Sequence, residues 1–122
     1  MPKVSKETAS QVEDHGALVV RSTDLDGYTV NLMTFVEGQD LTPMLAGLPG
    51  GQCHCPHWGY VLKGSIQVTY GDGRTERVTA GQVYHWPAGH TVRVDEEYES
   101  IEFSPSAPMN EVLAHVARKL GV

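Results

Sequence analysis

Gly51-Gln-Cys-His-Cys-Pro-His-Trp-Gly-Tyr-Val-Leu-Lys-Gly64 holds four potential metal ligands, Cys53, His54, Cys55 and His57, within five residues. An apolar, strand-like run and a glycine turn follow at once. A second pattern lies further along the chain, Gly81-Gln-Val-Tyr-His-Trp-Pro-Ala-Gly-His90. Thiols and imidazoles are the side chains that bind transition metals most readily. Two such clusters, each at a strand edge, predict one metal site built from two strands.

Working outward, the chain reads as strands almost throughout. Ala17 to Ser22 and Tyr28 to Val36 flank Asp24-Leu-Asp26-Gly27, where Asp-Gly is a strong hairpin signal. Leu41 to Leu48 reads as a loop or a single helical turn, closed by Pro49-Gly50-Gly51. Trp58 to Leu62, Ser65 to Tyr70, Thr75 to Thr79, Val83 to Trp86, Thr91 to Val94 and Tyr98 to Phe103 complete the set. About eight short strands with frequent turn signals predict a sandwich or closed barrel. Gly71-Asp72-Gly73 is a hairpin turn and not a phosphate loop, because no helical pattern follows it. From Ser106 or Asn110 onward, Val112, Leu113, Val116 and Leu120 recur at helical spacing, with Gly121 past the end. The reading is one all-β domain: an N-terminal arm over 1–16, a barrel over 17–104, and an amphipathic helix over 106–121 packed on the barrel's outside.

Bulk properties narrow the classes. At 122 residues the chain makes one domain. A net charge of -6 with no Lys/Arg cluster argues against nucleic-acid binding. No segment has the ~18 apolar residues of a membrane span, and the first residues lack a signal peptide's apolar core, so a cytoplasmic protein is expected. Its two cysteines would then stay reduced and available to a metal.

The two quoted stretches resemble the paired sequence motifs of the cupin superfamily, small β-barrels that commonly hold one metal. Gly81, Pro87 and Gly89 match the spacing of the second motif, and Tyr60-Val61-Leu62 with Gly64 matches the end of the first. The resemblance covers roughly residues 28–104 and implies a small jelly-roll barrel. The chain departs from the superfamily's shell of three histidines and one glutamate. His57 stands at the glutamate position, Cys53 at the second histidine position, and Val92 at the last histidine position, with His90 two residues before it.

Strand geometry then selects ligands. Side chains alternate faces, so Cys53, Cys55 and His57 share a face and His54 points the other way. His90 shares a face with Val92. The expected ligand set is therefore Cys53, Cys55, His57 and His90, a Cys2His2 group suited to tetrahedral zinc. A bulge near Pro56 would turn His54 inward instead and give a histidine-rich site for iron, nickel, copper or manganese. A Cys53–Cys55 disulfide is disfavoured, because residues two apart on a strand lie about 6.5 Å apart at Cα.

Other residues carry weaker signals. His85 reads as a rim residue that orients a ligand or holds a substrate. Trp58, Tyr60, Tyr84 and Trp86 read most simply as barrel core or edge, with an apolar ligand pocket as the alternative. Glu99 and Glu102 lie on opposite faces of the last strand. If Ile101 and Phe103 face inward, Glu99 goes in with them; otherwise Glu102 does, and an inward carboxylate beside a metal is a candidate general base. Three functions fit these residues: Lewis-acid, hydrolytic, isomerase or lyase chemistry on a small organic molecule at zinc; a non-enzymatic binding barrel with a structural metal; and a metal-dependent dioxygenase. A homodimer is expected, with the polar arm lending a strand across a two-fold axis.

Overall fold

The computed structural model describes residues 3–120; the remaining positions, Gly121 among them, lie outside the described residues. Nine strands and two helices follow in chain order. The first three strands are β1 (Gln11–Asp14), β2 (Leu18–Leu25) and β3 (Tyr28–Phe35). After β3 come α1 (Thr42–Leu45) and a 3₁₀ turn at Pro49–Gly51. Next are β4 (His57–Lys63), β5 (Ser65–Tyr70), β6 (Thr75–Thr79), β7 (Val83–Trp86), β8 (His90–Val94) and β9 (Tyr98–Pro105). The chain closes with α2 (Ser106–Lys119).

The strands form a six-stranded sheet in the order β1-β2-β3-β9-β4-β7 and a three-stranded sheet in the order β6-β5-β8. Every pairing is antiparallel. The β2–β3 hairpin turns on Asp26 and Gly27, both at positive φ (51° and 85°). That is the primed two-residue turn whose twist matches its strands, and it explains why an Asp-Gly pair stands there. The inner faces of the two sheets meet in one cluster that includes Phe35, Val61, Ile66, Val68, Val94 and Tyr98. At roughly 1.5–3 kcal/mol per large buried apolar side chain, this cluster holds the jelly roll closed.

Two expectations need correcting. Gln11–Asp14 of the arm forms a strand that pairs with β2 of the same chain, Gln11 opposite Ser22. Helix α2 is not a decoration on the barrel's outside. Its apolar stripe buries Met109 and Val112 against Leu45, Cys53 and Cys55, and His115 Nε2 meets the Ala46 carbonyl at 2.8 Å. Together α1 and α2 close one end of the barrel.

Candidate metal centre

Cys53 and His90 are joined by an isolated antiparallel bridge. The Cys53 N–H donates to the His90 carbonyl at 2.8 Å, and the Gly89 N–H donates to the Cys53 carbonyl at 2.8 Å. This backbone clamp sets the two side chains next to each other. His57, the first residue of β4, enters from the neighbouring sheet with its partner Trp86 beside it. The donor atoms of Cys53, His57 and His90 all lie within 4.8 Å of one another, and all three residues are buried.

Cys53 Sγ stands 3.3 Å from His57 Nε2. A tetrahedral zinc ion with Zn–S of about 2.3 Å and Zn–N of about 2.0 Å needs its sulfur and nitrogen ligands roughly 3.5 Å apart. The spacing fits. The tautomers fit as well. His90 Nδ1 lies 2.9 Å from the Pro87 carbonyl, which can only accept, so Nδ1 carries the proton and the Nε2 lone pair is free. His57 Nδ1 faces Ser104 Oγ at 2.7 Å and Glu102 Oε2 at 3.4 Å, leaving Nε2 directed toward Cys53. A carboxylate behind a ligating imidazole is the usual means of orienting it and raising its basicity.

Burial sets the protonation of these groups. It pushes the Cys53 thiol up to about 12 and draws His57 and His90 down to about 3 and about 4. Glu102 is pushed up to about 7 by burial, against a hydrogen bond from the Tyr84 hydroxyl at 2.7 Å that favours its anion. Tyr84 reaches Glu102 across β4 because residue 59 is glycine: a Cβ there would overlap the Tyr84 ring.

The remaining sequence candidates separate cleanly. Cys55 is buried but lies outside the cluster, its Sγ 3.3 Å from the Pro56 carbonyl and 3.9 Å from that of Pro105. The parity argument that grouped it with Cys53 fails because β4 begins only at His57. His54 is exposed, its Nε2 against the Pro49 carbonyl. His85 is exposed and stacks on Trp58 with ring centroids 4.6 Å apart. Trp58 and Tyr60 lie on the outer face, whereas Tyr84 and Trp86 are buried inside. Glu99 faces outward and pairs with Lys6 at 3.2 Å.

Glu102 faces inward, in a row with Tyr98, Ser100 and Ser104, while Ile101 and Phe103 face out. Sequence reasoning missed Ser104 and the role of Gly59. The alternation Tyr98-x-Ser100-x-Glu102-x-Ser104 places these four on one face, and only the structure shows that this face is the inner one.

Cys53, His57 and His90 are among the residues that line a cavity of about 110 Å³. Its walls are apolar, with Met33, Phe35, Leu41, Met44 and Val92 from the barrel and Val112, Leu113 and Val116 from α2. Asn31 and Trp86 also line it, and among the described residues the buried Trp86 indole N–H has no hydrogen-bond partner.

No protein-family model matches the sequence, and no curated protein is detectably similar. Solved structures are similar in fold. A protein of unknown function from Rhizobium leguminosarum is 25% identical, with a TM-score of 0.61 over 85% of this chain and 94% of its own. The ectoine synthase of P. lautus is 14% identical, with a TM-score of 0.63 over 86% of this chain and 78% of its own. A cupin superfamily protein from Desulfitobacterium hafniense is 12% identical, with a TM-score of 0.58 over 76% of this chain and 81% of its own. The chain is a small single-domain barrel with the cupin fold. Within that barrel it carries a buried cysteine–histidine–histidine group with the spacing of a divalent-metal site.

Proposed function

We propose that this protein is a metal-dependent enzyme, zinc being the fitting ion, that acts on a small apolar molecule bearing a carbonyl group. The observation that carries this reading is the number of donors. Cys53, His57 and His90 are three, and catalytic zinc sites keep three protein ligands with a fourth position open, whereas structural sites use four. One thiolate and two imidazoles suit zinc better than oxygen-seeking ions, and a thiolate fits poorly with the oxygen chemistry of a dioxygenase. A reducing, cytoplasmic setting would keep Cys53 available. When bound, the ion would supply Lewis-acid polarisation of a carbonyl oxygen or a water of lowered pKa.

The chain's own residues do the rest. Glu102 and Ser104 hold the His57 ring from behind, and the Pro87 carbonyl holds His90. The apolar walls exclude water and select the substrate. An engineered apolar cavity of about 150 Å³ accepts benzene, so a space of about 110 Å³ takes a molecule of that size or smaller. A non-enzymatic binding barrel is the second reading. It is favoured by Glu102, the inward carboxylate, being engaged by both Tyr84 and His57 and so poorly placed to take a substrate proton.

Elemental analysis of protein purified without chelators comes first. Near-stoichiometric zinc is expected, lost in Cys53→Ser, His57→Ala and His90→Ala and retained in His54→Ala and Cys55→Ser. The cobalt-substituted protein should then change its visible spectrum when azide is added. A spectrum that does not move means a closed, structural site and defeats the enzyme reading; bound iron or manganese defeats the zinc assignment.

A further inference from the structure

The outer face of the six-stranded sheet is built like a protein interface. Registry across β3, β9, β4 and β7 aligns Val30, itself buried within the chain, with Phe103, Trp58 and His85 in one cross-strand row. The neighbouring row, two residues along each strand, is Leu32, Ile101, Tyr60 and Val83. Neither row contains a charged residue. Charges begin at the rim, with Arg21 opposite Leu32 on β2 and Glu99 one step along β9. Trp58, Tyr60, Phe103 and Val83 are between 40% and 79% exposed.

We propose that this face is the interface between two copies of this chain, independently of any role for the metal centre. Surface area supports a protein partner. With Tyr28 and Leu62 also about half exposed, and roughly 200 Å² for each large side chain, the face presents on the order of 600 Å² of apolar surface. That is the upper end of what a monomer exposes and close to the ~800 Å² per partner of a standard stable interface. Aromatic residues at an uncharged centre with a polar rim match interface anatomy. The row pattern supports a second copy over a different protein. A two-fold axis lying between the rows sets the row of Trp58 and Phe103 on the row of Tyr60 and Ile101, so the face is complementary to itself, as an isologous contact requires. It offers no charge pattern by which to select another partner. Two such sheets would pack face to face about 10 Å apart. The N-terminal arm, already paired with its own β2, is not needed for the contact.

Sedimentation velocity on the full chain at micromolar concentration tests this. The wild type should sediment with the mass of two chains. Val83→Lys and Phe103→Lys should sediment as one chain, with a dimer dissociation constant raised roughly a hundredfold. Val83 is an edge residue with 79% of its surface exposed, so its replacement leaves the monomer's circular dichroism and melting transition intact. Raised salt should not dissociate the wild type, since no ion pair crosses the centre. A one-chain mass for the wild type would overturn the proposal, as would a two-chain mass persisting in both variants.

Discussion

Zinc binding at Cys53, His57 and His90 should be driven by pH through a countable number of protons. The Cys53 thiol, pushed up to about 12, is protonated in the metal-free protein throughout the neutral range. A thiolate ligand therefore releases one proton on binding, and affinity rises about tenfold per pH unit. His57 and His90, drawn down to about 3 and about 4, are already neutral above about pH 5 and release none. Glu102, at about 7, is protonated below that pH in the free protein. A cation on the far nitrogen of His57 favours its anion, so a second proton leaves below about pH 7. Integrated from pH 6 to pH 8, these two groups raise affinity about a thousandfold, and Glu102→Gln reduces the rise to about a hundredfold. Competition with a chromophoric chelator across that range measures the slope, and calorimetry in buffers of different ionisation enthalpy counts the protons directly. Affinity independent of pH would refute thiolate ligation. Two protons released at about pH 8.5 would bring in Cys55, whose thiol burial also pushes up to about 12, and would refute the three-donor site.

Gly59→Ala places a Cβ into the Tyr84 ring and should destabilise the fold by about 1–3 kcal/mol in urea unfolding; an unchanged midpoint would show that the Tyr84 crossing of β4 is not tightly packed. Tyr84→Phe strips Glu102 Oε1 of its donor, at a cost of about 1–3 kcal/mol. It should also move the second proton-release step of zinc binding to higher pH, and a step left in place would disconnect the two residues. In chelator, stability should fall as pH drops from about 6.5 to about 4.5, because unfolded histidines protonate there while folded His57 and His90 stay neutral. Glu102, whose folded carboxyl keeps its proton to about 7, acts in the opposite direction over the same window, but two imidazoles outweigh one carboxyl. Stability that rises on acidification in that window would contradict the buried, neutral imidazoles.

Much of the strand order is legible without coordinates. Ser65–Tyr70, Thr75–Thr79 and Val83–Trp86 have the boundaries their alternation and turns predict. The Asp26-Gly27 hairpin and the C-terminal helix follow from local backbone chemistry, which acts over a few residues and so is written in a few residues. A strand in the arm was expected, but its pairing with β2 of the same chain was not legible, because polar Gln11–Asp14 carries no pattern that selects a partner strand.

By itself the sequence determined the element types, their order, and two ligand-rich strand edges that had to meet. Tertiary structure decided which members of each cluster do meet. Period-two alternation sorts residues into two faces only where the backbone is a strand, and the backbone between the 3₁₀ turn and His57 is not one; the bridge to His90 turns Cys53 inward while Cys55 goes to the β9–α2 junction. Nor does alternation say which face is the interior. On β9 the apolar Ile101 and Phe103 point out and Glu102 points in. Glu102 is held there by Tyr84, which reaches it past Gly59, and by His57. Those contacts join residues far apart in the chain, and no local pattern encodes them.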